Sequence, residues 1–234
     1  MGKDVIIACD FSSAEETMEF LQKLGERRPY VKIGMELYYA AGPQIVQQLK
    51  QRGHKVFLDL KLHDIPNTVE KAMRVLAGLG ADMCNVHAAG TKKMMEAGLR
   101  GLTEGSETQE RPLLIAVTQL TSTSQEQMAE DILIDRPMEE VVASYAASAK
   151  AAGLDGVVCS PLESPAVHDR LGKDFFTVTP GVRLAGDAAG DQSRVTTPAK
   201  AKELGSDYIV VGRSITAAAD PLAAYEQCMR EFVD

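Results

Sequence analysis

Apolar residues recur along this chain in eight short, nearly unbroken runs, separated by longer stretches in which they return every three or four positions. The runs are "DVIIACDF" (4–11), "YVKIGMEL" (30–37), "KVFLDLKL" (55–62), "DMCNVHA" (82–88), "LLIAVTQL" (113–120), "DGVVCS" (155–160), "FFTVTPGV" (175–182) and "DYIVVGRS" (207–214). Several are almost continuous in Val, Ile and Leu, the pattern of parallel strands buried on both faces. The stretches between them predict amphipathic helices. "SSAEETMEFLQKLGER" opens on Ser12 or Ser13 as N-cap, with acids in the first turn. "GPQIVQQLKQRG" starts with proline near the first helical position and ends at Gly53, and "PNTVEKAMRVLAGLG" repeats that punctuation. "TKKMMEAGLRGL", "PMEEVVASYAASAKAAG", "SPAVHDRLG", "TPAKAKELG" and "PLAAYEQCMREFV" complete the set.

Eight strand–helix units without a composition break predict one domain over residues 1–234, a (β/α)8 TIM barrel. A doubly wound open sheet competes. It seldom needs eight parallel strands in so short a chain, and no G-x-G-x-x-G follows the first strand.

Composition changes this picture little. With 45% hydrophobic and 25% charged residues the chain is ordinary for a globular protein. A formal charge of −8 argues against general affinity for nucleic acid or anionic membranes, though a local basic pocket can oppose the global sign. No run approaches the roughly 20 apolar residues that span a bilayer, and the N-terminal run is too short for a signal segment. Cys9, Cys84, Cys159 and Cys228 form no C-x-x-C pair; buried thiols in a reducing cytoplasm are expected.

Chemistry gathers at the carboxyl ends of the predicted strands, where barrel active sites are built. Those ends carry Asp10, Lys32, Asp59, Lys61, Asp64, Asn85, His87, Gln119, Thr121, Ser122, Pro180, Gly181, Arg183, Gly212, Arg213 and Ser214. One such residue reads as a solvated loop charge. Asp10, Lys32, Asp59 and Lys61 do not, because each is flanked by apolar strand residues, and Asp59 and Lys61 share one face. "TVTPGVR" and "VVGRS" both leave a strand through glycine, where a backbone can approach a ligand closely. Phosphate in barrels is commonly held after strands 7 and 8, and Arg213 offers a planar fork to its oxygens. Between these segments "LAGDAAGDQSR" (184–194) suits a loop that closes over a ligand. For His63 and His87 packing in the core or behind the residues that touch the ligand is expected, with His63 pointing away from Lys61. His54 and His168 carry no chemical signal.

These segments resemble orotidine 5′-phosphate decarboxylases. "DLKLHDIPNT" matches the family's D-x-K-x-x-D-I signature, and "VKIGMEL" its second-strand lysine segment. "QLTSTS" is similar to the pyrimidine-contacting loop, and "VTPGVR", "DQSR" and "VVGRSI" to the phosphate-gripping elements. The resemblance implies decarboxylation of orotidine 5′-monophosphate to UMP, with no cofactor and no metal. Lys61 would protonate C6, with Asp59, Asp64 and Lys32 completing an alternating charge network. Asp10 and Lys32 would hold the ribose, Thr121 and Ser122 the pyrimidine. Gln192, Arg213, the Gly212 backbone, Pro180 and Arg183 would surround the phosphate. A homodimer is implied, with Asp64, Ile65 and Thr68 reaching the neighbouring subunit's site. Two rival functions stand beside it. A magnesium-dependent sugar-phosphate decarboxylase or aldolase shares the strand-3 motif but carries an acid at strand 2, where this chain has Lys32. A non-catalytic nucleotide-binding barrel would need the phosphate loops but not the Asp–Lys–Asp array.

Overall fold

The computed structural model describes residues 3–106, 110–186 and 195–234. Eight parallel strands close into a barrel in chain order. They are β1 (Asp4–Cys9), β2 (Tyr30–Gly34), β3 (Val56–Leu62), β4 (Met83–His87), β5 (Leu113–Val117), β6 (Gly156–Val158), β7 (Phe176–Thr179) and β8 (Tyr208–Val211). Around them run α1 (Ala14–Gln22), α2 (Met35–Ala41), α3 (Gln44–Gln51), α4 (Pro66–Ala77), α5 (Thr91–Glu104), α6 (Gln125–Glu130), α7 (Met138–Ala151), α8 (Ser164–Leu171), α9 (Pro198–Glu203), α10 (Arg213–Thr216) and α11 (Pro221–Phe232). The N-cap of α1 is Ser13, whose hydroxyl accepts from the Glu16 N–H.

Side-chain alternation along the strands divides the core in two. Ile6, Ala8, Tyr30, Phe57, Met83, Ile115, Val178, Tyr208 and Val210 point inward and fill the barrel. Their strand neighbours, among them Ile7, Ile33, Leu58, Cys84, Leu114 and Ile209, point outward against the helices. The floor at the amino end is aromatic: the Tyr208 ring meets Tyr30 and Phe176 edge-on, with centroids 6.2 and 6.1 Å away. Gly156 is required beside it, since a Cβ there would lie 2.3 Å from the Phe176 carbonyl oxygen. With the barrel plugged from below, a ligand can enter only at the carboxyl end.

A repeated device fixes strand starts. Gly80, Gly153 and Gly205 each take a positive φ (81°, 86°, 83°) just after a helix, and an aspartate follows two residues later. Asp82 accepts the Val56 N–H at 2.7 Å, Asp155 the Leu114 N–H at 2.7 Å, and Asp207 the Thr177 N–H at 2.8 Å. Each aspartate precedes an even-numbered strand and clamps the odd-numbered strand before it. Each also binds a basic side chain: Lys50 at 2.6 Å, Arg111 at 2.7 Å and His168 at 3.0 Å respectively. His168, silent in the sequence, thus belongs to the scaffold.

The strands end earlier than the apolar runs predict. The run of β2 extends to Leu37, but the strand stops at Gly34 and "MELYYAA" turns into α2, with Leu37 buried. Likewise β8 stops at Val211 and Arg213 opens α10. A short apolar run suits a buried strand or a buried helix equally, so periodicity does not mark that switch. Helix α6, with a reciprocal Ser124–Gln127 capping box, has no counterpart among the predicted helices. All four cysteines are buried, and burial pushes the Cys9 and Cys84 thiols up to about 12.

Candidate active site

Four charged side chains form a continuous chain of alternating sign across the carboxyl ends of β1–β3. Lys32 Nζ donates to Asp10 Oδ1 at 2.8 Å and lies 3.4 Å from Asp59 Oδ2. Asp59 Oδ1 in turn lies 2.7 Å from Lys61 Nζ. Lys32 and Asp59 are buried, Lys61 is partly exposed and Asp10 is open to solvent. Gly34 leaves space for this chain, because a Cβ there would come within 3.2 Å of Asp10 Oδ1 and 3.4 Å of Lys32 Nζ.

Burial opposes ionisation of Asp59, yet the neighbouring Lys32 and Lys61 ammonium groups, with hydrogen bonds from Lys61 and Asn85, hold its carboxyl below the usual carboxylate range. Burial also opposes charge on Lys32, but Asp59 and Asp10 outweigh it and raise its pKa. Both groups are therefore locked in their charged forms. Next to them, burial and the approach of His63 and Lys61 depress the His87 imidazole, with Asp59 partly offsetting the effect. The rings of His63 and His87 lie 5.6 Å apart, tilted by 38°. His87 is half-buried, whereas His63 is exposed just beyond the last residue of β3, which rules out core packing for His63 but leaves it beside His87 behind the charged wall.

Lys61 departs from ideal strand geometry. Its φ is +51°, and the β3–β4 ladder slips between the pairs Leu58–Cys84 and Leu62–Val86. Asp59 and Lys61 share a face as alternation predicts, but across a bulge rather than along a regular strand.

The charge chain borders a cavity of about 520 Å³, floored by Ala8, Phe57, Val117, Val158, Val178 and Val210. Across from Lys61 its wall is made by Gln119, Leu120, Thr121 and Ser122 after β5. The rest is closed by Pro180, Gly181 and Arg183 after β7, and by Gly212, Arg213 and Thr216 after β8. Arg183 is buried and donates to its neighbouring Val182 carbonyl at 3.0 Å. A larger depression of about 860 Å³ opens at the opposite end of the barrel. Its Lys50, Asp82 and Arg111 are engaged in the strand clamps, so the smaller cavity is the chemical one.

Of the residues singled out in the sequence, Asp10, Lys32, Asp59, Lys61, Thr121, Ser122, Pro180, Arg183, Gly212 and Arg213 therefore converge on one cavity. Asp64, Ile65 and Thr68 do not line it; they are exposed at the rim, where β3 runs into α4. Gln192 lies outside the described residues. Sequence reasoning placed Asn85 and Gln119 among the strand-end residues without assigning them a contact, and it did not single out Gly34 or Thr216. For Asn85 the signal was available: a polar residue in an inward position of "MCNVH" must face a polar neighbour in the barrel. Among the described residues no three His, Cys, Asp or Glu side chains stand together so as to hold a metal ion. Among the same residues no helix is long and apolar enough to cross a membrane.

Fold and site define a class, barrel enzymes that set an Asp-x-Lys strand against a mouth closed by glycine and arginine after β7 and β8. Within it the assignment is specific. Residues 3–228 match the model of the orotidine 5′-phosphate decarboxylase / HUMPS family, and the chain belongs to that family. It is 56% identical over 233 residues to an orotidine 5′-phosphate decarboxylase of Bacillus cytotoxicus, covering 99% of this chain and 98% of that one. A Bacillus mycoides protein of the same name is 55% identical over the same span. The crystal structure of orotidine 5′-phosphate decarboxylase from Lactobacillus acidophilus superposes with a TM-score of 0.90 at 45% identity, over 99% of this chain and 100% of that one. That of an uncharacterized conserved protein from Geobacillus kaustophilus gives 0.87 at 51% identity, over 97% and 99%.

Proposed function

We propose that this protein decarboxylates orotidine 5′-monophosphate to UMP in pyrimidine biosynthesis, without a cofactor, and that Lys61 is the group that makes the step possible. The observation that carries the proposal is the unbroken Asp10–Lys32–Asp59–Lys61 chain along one wall of a closed-bottom cavity. When the C6–carboxylate bond breaks, CO2 departs and the electron pair stays in an sp2 orbital that the pyrimidine ring cannot delocalise. A fixed positive charge must stabilise it. The Lys61 ammonium supplies that charge, then transfers a proton from Nζ to C6 and is reprotonated from water. Asp59, ionised and bonded to that amine, aims it. Lys32, neutralised on both sides, fixes Asp59 in turn.

The remaining contacts are those the family resemblance implies. Asp10 and Lys32 bind the ribose hydroxyls, and Thr121 with Ser122 reads the pyrimidine edge. Pro180, Arg183, Gln192, Gly212 and Arg213 surround the phosphate. This distant anchor supplies binding energy that organises the charged wall. The working unit is a homodimer in which Asp64, Ile65 and Thr68 complete the cavity of a second copy. Their exposure at the rim supports this, as does a group of exposed apolar residues after the adjacent strands β2 and β3: Met35 (47%), Tyr39 (72%) and Ile65 (66%). The whole chain acts as one domain. Four buried cysteines with no C-x-x-C pair among them suit a reducing cytoplasm.

The test is direct. Purified protein mixed with orotidine 5′-monophosphate should convert the substrate's ultraviolet absorbance to that of UMP, over many turnovers per protein. Stoichiometric binding without turnover would instead mark a nucleotide-binding barrel.

A further inference from the structure

Asn85 occupies the inward position of β4 opposite the β3 bulge. Between the paired residues Leu58–Cys84 and Leu62–Val86, β3 contributes Asp59, Leu60 and Lys61, whereas β4 contributes Asn85 alone. The Lys61 N–H is one of the groups that lose a regular ladder partner there. The Asn85 side-chain oxygen accepts that N–H at 2.7 Å, and its amide nitrogen donates to Asp59 Oδ1 at 2.7 Å. That same carboxylate oxygen faces Lys61 Nζ at 2.7 Å. The amide orientation is fixed by chemistry: a backbone N–H can only donate and an ionised carboxylate can only accept. Asn85 therefore closes a ring that ties the Lys61 backbone, through Asp59, to the Lys61 amine. It is 1% exposed, so water has little access to replace it, and it does not line the cavity. Left-handed φ at a residue with a side chain is disfavoured and persists only where its surroundings enforce it.

We infer that Asn85 is the positioning residue of the site, holding Lys61 in its left-handed conformation and presenting Asp59 to the Lys61 amine. It touches no substrate atom. The inference rests on the role given to Lys61 above, and it predicts a loss confined to turnover.

Asn85→Ala should lower kcat by roughly 100-fold, the scale of a small misplacement of a reacting group. KM and UMP affinity should stay within about threefold of the parent. Asn85→Asp keeps the acceptor for the Lys61 N–H but sets a second carboxylate against Asp59. Only its protonated form can donate as the amide does, so kcat relative to the parent should rise as pH falls. In the same Asn85→Ala protein the Lys61 amide proton should exchange faster with deuterium by about 100-fold, while the amides of Leu58 and Val86 keep their protection. A kcat within twofold of the parent, equal losses in kcat and UMP affinity, a parental pH profile in Asn85→Asp, or a Lys61 amide still protected would each overturn the inference. Parent protein that fails to turn over orotidine 5′-monophosphate would instead refute the proposed function, and the exchange measurement would still judge Asn85. Should Asn85→Ala not fold, the pH dependence of kcat in Asn85→Asp, which keeps the Lys61 N–H acceptor, carries the test.

Discussion

The charged state of the wall is set by mutual support. Asp59 titrates below its ordinary range and Lys32 above its own, so the sign of each effect on stability is fixed. The lowered carboxyl contributes stability that is present above an unfolded pKa of about 3.9 and is lost as pH falls through the lower folded value. The raised amine contributes below about 10.4 and loses that contribution as pH rises through its higher folded value. Between about pH 5 and pH 9 neither titrates. Lys32→Met removes the strongest influence holding the buried Asp59 carboxyl down, so the gap in urea midpoint to the parent should narrow only toward acid pH, as Asp59 of the variant takes up a proton; a gap that narrows toward alkaline pH within that window would contradict the charge assignment. In the proposed function Arg213, which lines the same cavity, acts at the other end of the ligand. A charge-assisted hydrogen bond is worth about 1.5–3 kcal/mol, so Arg213→Ala should reduce kcat/KM for orotidine 5′-monophosphate by roughly 10- to 100-fold without touching a reacting atom. An unchanged kcat/KM would remove Arg213 from the phosphate site. At this scale the sequence was largely readable, because an acid or lysine set among Val, Ile and Leu at a strand end must face a polar partner to be buried at all. The Lys61 bulge was not, since alternation assumes an unbroken strand.

Strands and helices place these groups through devices that stabilise the barrel away from the chemistry. The Gly-x-Asp units ending at Asp82, Asp155 and Asp207 start the strands at the floor of the barrel. Asp155→Ala would strip the Leu114 N–H of its acceptor and remove the carboxylate partner of Arg111, costing about 2 kcal/mol. A lower urea midpoint with parental kcat/KM is the expected result; lost activity in a fully stable protein would place the clamp in the site instead. Helices α4 and α5 show the same economy of space, as a Cβ on Gly101 would fall 2.0 Å from the Glu70 carbonyl oxygen. The eight strands were legible as apolar runs. Their ends were not, because residues past a strand end stay buried where they line the mouth, as Thr121 and Arg183 do. For that reason α2, α6 and α10, all at the mouth, escaped a search based on periodicity.

At the scale of the molecule, the aromatic floor plugs the barrel at its amino end, and the proposed dimer would use the exposed rim after β2 and β3. Ile65→Asp should abolish the dimer in sedimentation at micromolar protein and lower kcat/KM with it, since Asp64 and Thr68 then reach no second cavity. Full activity from a monomer would refute shared sites. Closed barrel topology was predictable from eight repeating units; a shared face was not readable from periodicity and came from the resemblance alone. The central claim remains the amine beside C6. It is tested most directly by measuring turnover of orotidine 5′-monophosphate by Lys61→Ala alongside its affinity for UMP. Loss of both charge stabilisation and proton delivery should reduce kcat by roughly 10⁵-fold while UMP binds within about threefold of the parent. Turnover within tenfold of the parent would contradict the account.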